Sequence, residues 1–226
     1  MKKTCYTCNT KAVKNGIYKG HIHQFVIDNL PKNNKIYHNN SDQIIELNGL
    51  KPNKKIFYFA TNKSKNITKI ETQLKAYDKL QNSGICKVNK EGKAKLYLDC
   101  PQIYINANNK VYSRHIHFVY YDDKEKKWDL DLYTHKIFCL VNNRFLNDNK
   151  DKIKLIDARV SNNEKNLKNF DLIKIDKLNK SSLIKNLNIK DELKPIVICC
   201  SNHIDGEILN NKINNLGFLN TFHYIL

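Results

Sequence analysis

Arginine is nearly absent from this 226-residue chain: three occur (Arg114, Arg144 and Arg159), against thirty-six lysines. A net charge of +17 would by itself suggest a nucleic-acid partner. Arginine, however, makes the bidentate contacts to phosphate and base edges, and lysine does not replace it there. The lysines are also scattered, with no dense basic tract. Together with thirty-three asparagines and abundant isoleucine, they read as the codon bias of an AT-rich genome, such as that of some parasites, bacteria and large DNA viruses. Specific nucleic-acid binding is not expected. No run of 18 apolar residues occurs, so no membrane-spanning helix is predicted. The opening stretch, MKKTCYTCNTKAVKNG, is basic but lacks an apolar segment, and predicts no secretory signal.

Cysteine is present but in an odd number, at positions 5, 8, 86, 100, 139, 199 and 200. A disulfide framework is not the expectation for a chain of this length without a signal, and a reducing, cytoplasmic setting is, with a virion as the other option. Cys5 and Cys8 form a C-x-x-C, but no second pair exists to complete a zinc site.

Up to about residue 140 the chain reads mainly as β. The segments 54–61, 93–100, 114–121 and 132–141 are rich in β-branched and aromatic residues, and turn signals at 89–93 and 122–129 separate them. Residues 66–80 are predicted helical, because Ile67, Ile70, Leu74 and Tyr77 follow helical spacing. A polar stretch, NDNKDK at 147–152, suits a linker. Beyond it, apolar runs at 153–160, 170–176 and 194–200 alternate with helical patterns at 181–189 and 205–216. Gly217 supplies a stop, and 218–226 reads as a last strand. Strands alternating with helices imply a parallel sheet with covered faces. The expectation is therefore α+β in two domains: an antiparallel β-sandwich over 1–146 and a small α/β domain with a parallel sheet over 147–226.

The stretch PIVICCSNHIDGEILNNKINNLGFLNTFHY orders a strand, a Cys-bearing loop, a helix, a Gly-aromatic pair and a strand. With LIDAR at 155–159, it resembles the rhodanese family. The resemblance covers about 150–226. It implies a sulfurtransferase whose nucleophile is Cys200, with an active-site loop of Ser201, Asn202, His203, Ile204, Asp205 and Gly206, and with Asp157 and Arg159 in support. It requires no cofactor, and it implies a sulfur donor and acceptor that the motif does not specify. A thiol at a strand's carboxyl end, facing a helix N-terminus, meets N–H donors and the positive end of the helix dipole. Both would favour thiolate, which can carry sulfane sulfur as a persulfide. Within the loop, Asp205 stands where the family often places a cation, which predicts a preference for neutral over anionic donors.

Two H-x-H pairs remain, at 21–23 and 115–117. Residues i and i+2 of a strand share a face, so each pair would aim two imidazoles one way. The stretch NKEGKAKLYLDCPQIYINANNKVYSRHIHFVYY resembles the core of intradiol ring-cleaving dioxygenases over about 85–120. The resemblance implies ferric iron held by Tyr104, His115 and His117, with Tyr77 as a fourth ligand. Arg114, adjacent to His115, would point to the opposite strand face. The pair at 21–23 has no such context and reads as part of an edge strand. Three classes of function follow: a Cys200 sulfurtransferase, which leads; a non-haem iron enzyme of the first domain; and a non-enzymatic structural or interaction protein.

Overall fold

The computed structural model describes residues 12–13, 16–158, 172–174, 180–187 and 193–226. The fold is mixed α+β and rich in strands. It divides into two compact units, one formed by Met1–Lys65 with Ile70–Ile137, the other by Asn66–Lys69 with Phe138–Leu226.

The first unit is built on an antiparallel sheet. Its strand order is β1 (Ala12–Val13), β2 (Ile17–His21), β12 (Asp131–Lys136), β10 (His115–Asp122), β4 (Lys55–Ala60) and β6 (Ser83–Lys87), with β11 (Lys127–Trp128) pairing beside β10. The central strands are aromatic and β-branched, and both of their faces are buried. One face of β4 and β10 (Ile56, Tyr58 and Ala60; Ile116, Phe118 and Tyr120) packs with Leu47 of β3 (Gln43–Leu47) and with Leu96 and Leu98 of β7 (Ala94–Leu98). The other face (Phe57, Phe59, Val119) packs with Val26 of α1 (Gln24–Asp28), with Ala76 and Tyr77 of α2 (Gln73–Tyr77), and with Tyr104 and Trp128. Tyr104 lies on β8 (Tyr104–Ile105), held between β5 (Glu71–Thr72) and β9 (Val111–Tyr112). Each fully buried aromatic here contributes roughly 1.5–3 kcal/mol of transfer free energy.

In the second unit, four parallel strands run in the order β14 (Leu172–Lys174), β13 (Lys154–Asp157), β15 (Ile196–Cys200) and β16 (Thr221–Ile225). The continuous apolar run of β15 is buried along its whole length, as a strand covered on both faces requires. Helix α5 (His203–Asn215) packs Ile213 against Ile156, Ile196, Ile198 and Phe218. Helix α3 (Asn143–Asp148) is capped by Asn142, whose side chain accepts from the Phe145 amide. Helix α4 (Lys180–Leu187) contributes Leu183 to the core.

Several sequence expectations are corrected. The predicted helix over 66–80 is a helix at Gln73–Tyr77 alone. Asn66 instead forms a side-chain turn, accepting from the Thr68 amide at 3.1 Å, which competes with helical bonding. Ile67 then offers its carbonyl to buried Asn220 at 2.9 Å, so residues 66–69 join the second unit. The β-rich run at 132–141 is shared between two sheets: β12 ends at Lys136, and Leu140 bridges His223. The polar stretch at 147–152 is not a linker but the end of α3 and the turn after it. The boundary between units falls at Phe138 instead.

Candidate active site

His115 and His117 lie on β10 with their rings on one face, as a period of two demands. Their ring centroids are 4.7 Å apart. They face the second core, where Phe59 of β4, directly across from His117 in register, lies 5.3 Å from its ring. Two phenols reach the same spot from different elements. Tyr77 arrives from the end of α2, which is tied to the sheet by the Asn62 amide donating to the Ala76 carbonyl at 2.7 Å. Tyr104 arrives from β8. The β8–β9 turn is set by Asn106, whose side chain accepts from the amides of Asn108 and Lys110 at 3.0 and 2.9 Å.

The Tyr77 hydroxyl lies 3.1 Å, and the Tyr104 hydroxyl 3.4 Å, from Nε2 of His115. The other nitrogen of that ring, Nδ1, is 2.7 Å from the Ser113 carbonyl oxygen. A carbonyl only accepts, so Nδ1 carries the hydrogen and Nε2 presents a lone pair to both phenols. His117 Nδ1 is 2.8 Å from Thr134 Oγ1 on the neighbouring strand β12. Burial, and then the neighbouring His115, hold the His117 pKa well below its ordinary 6.5, so this ring is neutral at physiological pH. All four side chains are almost fully buried, with His115 the most exposed at 6%.

The donor set suits one transition-metal ion. Two ligand atoms each about 2.1 Å from an ion, and about 90–110° apart, lie about 3.0–3.4 Å from each other; both measured O–N separations fall in that range. Phenolate oxygen with neutral imidazole nitrogen suits a hard, highly charged ion. Among the described residues no group of three or more His, Cys, Asp or Glu could hold a metal ion, so tyrosine is what makes this constellation a candidate.

Two basic residues neighbour His115, one in sequence and one across the strand pair. Arg114 is buried, and burial pulls its pKa down to about 9. Lys136 stands opposite His115 in the β10–β12 register, and burial lowers its pKa to about 8. A half-open cavity of about 320 Å³ lined by Ile17, Glu46, Leu47, Asn48 and His135 belongs to the other face of the sheet, because His135 alternates with Thr134. Of the pair at 21–23, His21 ends β2, and His23 caps α1 by accepting from the Phe25 amide at 3.2 Å.

The thiol of Cys200 differs from its sequence expectation. It ends β15 and is 1% exposed. Its Sγ donates to the Tyr224 carbonyl at 3.4 Å, a bond only the protonated thiol makes. Burial, and then Asp205, push its pKa up to about 11, against a smaller opposing contribution from the Asn202 amide. Only Ser201 and Asn202 form a loop; His203, Ile204, Asp205 and Gly206 are the first turn of α5, capped by Asn202, which accepts from the Asp205 amide at 2.9 Å. Asp157 ends β13 opposite Cys199. Arg159, Cys5 and Cys8 lie outside the described residues. Cys100 and Cys139 are each disulfide-bonded, contrary to the expectation of free thiols. No family model, curated protein or solved structure matches the chain.

Proposed function

We propose that the first unit is a non-haem iron protein of dioxygenase-like type, with ferric iron held by Tyr77, Tyr104, His115 and His117. The convergence of both phenol oxygens on the His115 Nε2 lone pair carries this reading. In this reading each protein group has a defined task. The Ser113 carbonyl keeps the His115 hydrogen on Nδ1 and so keeps Nε2 available. Burial keeps His117 neutral, as a nitrogen ligand must be. Phe59 and the surrounding apolar core exclude water and fix the ring planes. When bound, the ion would supply Lewis acidity. The sulfurtransferase reading lacks comparable support, since a buried, protonated Cys200 is a poor nucleophile.

The test is metal analysis and visible spectroscopy of protein reconstituted with ferric iron. Near-stoichiometric iron and a tyrosinate-to-iron charge-transfer band are expected, and His115→Ala should lose both. Negligible iron in the wild-type protein after reconstitution would overturn the proposal and favour a structural or interaction role.

A further inference from the structure

The contact between His117 and β12 assigns a role to a residue outside the four donors. We propose that Thr134 is a positioning residue: it fixes His117 as the Nδ1–H tautomer, so that Nε2 offers its lone pair to the centre. The inference rests on the iron reading above. Thr134 is Cα partner to His117 in the β10–β12 pairing. It is 7% exposed, and its Oγ1 lies 2.8 Å from His117 Nδ1.

A hydroxyl can donate or accept, so this contact alone leaves the tautomer open. The iron reading decides it. Nδ1 is the nitrogen turned to Thr134, which leaves Nε2 for an ion. A neutral ring that offers Nε2 carries its hydrogen on Nδ1, and Thr134 Oγ1 accepts it. Threonine suits the task because its β-branch restricts χ1, which places the hydroxyl before any metal arrives. The two histidines thus use different devices for the same end: a backbone carbonyl for His115 and a side-chain hydroxyl for His117. Outer contacts of this kind set ligand orientation and basicity.

Thr134→Val keeps the shape and removes the acceptor; Thr134→Ser keeps the acceptor. Long-range ¹H–¹⁵N correlation spectra of the metal-free protein should show His117 hydrogen on Nδ1 in wild type and Thr134→Ser, and a mixed or Nε2–H population in Thr134→Val. Ferric-iron affinity, from competition with a chelator, should fall about 10–100-fold in Thr134→Val and recover in Thr134→Ser, with the charge-transfer band displaced only in the valine variant. An Nε2–H tautomer in wild type overturns the assignment. So does Thr134→Val that binds iron like wild type with an unmoved band. Wild type that shows the Nδ1–H tautomer yet takes no iron overturns the iron reading, and with it the positioning role, while leaving the tautomer assignment standing.

Discussion

Each unit buries a polar cluster, and the two clusters are completed in different ways. In the second unit the hydrogen bonds form a linear chain. The Asn210 amide nitrogen only donates, so His223 Nδ1, 3.2 Å away, must accept. His223 Nε2 then carries hydrogen and donates to His203 Nδ1 at 2.7 Å. His203 Nε2 in turn donates to Glu207 at 3.3 Å. Apart from the buried Asn210 Oδ1, each link has one donor and one acceptor, and the chain runs from the core to an exposed carboxylate. In the first unit one lone pair on His115 faces two phenol hydroxyls, each able to donate, so one acceptor serves two donors. One cluster pairs its links singly, whereas the other converges two phenols on one nitrogen, the geometry on which the proposed iron site rests.

That contrast can be broken from either side. The largest effect is expected at Phe59, which is 1% exposed and packs against Phe57, Tyr77 and His117. Phe59→Ala should destabilise the protein by about 3–5 kcal/mol through lost burial and the cavity left behind, read as a lower urea midpoint. Iron uptake should weaken with it. A loss below about 1 kcal/mol would mean that the sheet face collapses around the void, and that the rings are not held as rigidly as the proposed iron site requires.

The next effect belongs to the hydrogen-bond chain of the second unit. Burial, then His203, lowers the His223 pKa from 6.5 to about 4. A folded-state pKa below the unfolded one means that the unfolded chain binds the extra proton. The stability that rests on neutral His223 is therefore full above about pH 6.5 and is lost as pH falls toward 4. The loss is about 3 kcal/mol, because each tenfold change in proton affinity is worth about 1.36 kcal/mol. Hydrogen exchange of α5 and β16 amides as a function of pH reads this directly. His223→Gln should flatten the slope between pH 6.5 and 4; an unchanged slope would place the titration elsewhere.

A smaller effect is expected at Gly206. Inside a helix, Gly→Ala ordinarily gains about 1 kcal/mol. Here a Cβ would sit 2.7 Å from the His223 ring and 2.9 Å from Cys200 Sγ, both buried. Overpacking costs about 1–3 kcal/mol, so Gly206→Ala should be net destabilising in thermal or urea unfolding. A stabilised variant would show that α5 is free to lift from the sheet, and that Cys200 is less enclosed than its geometry indicates.

Much of the first unit was legible in the residues themselves. The aromatic and β-branched runs became β4, β7, β10 and β12, and the alternation within HIHF set both imidazoles on one face. The run IVICC announced a strand buried on both sides. Less legible were elements decided by local polar competition, such as the turn at Asn66 that cut the predicted helix short. Cys200 misled because strand, loop and helix spacing locates a thiol along the chain but says nothing of its depth.

What the sequence determined by itself was periodicity: which residues share a face and which strands are two-sided. What only the tertiary structure decided was register and approach. The β10–β11 pairing sets Tyr121 opposite Trp128, while the β10–β12 pairing sets Phe118 opposite Tyr133, because Asp129 and Leu130 are inserted between. Continued without that insertion, the register would put Leu132, not Thr134, across from His117. Tyr77 and Tyr104 likewise meet His115 only because α2 and β8 fold over the same sheet face. A strand's face is fixed by the pleat of its own backbone, but its neighbour is chosen by the whole chain's packing, and no local pattern carries that information.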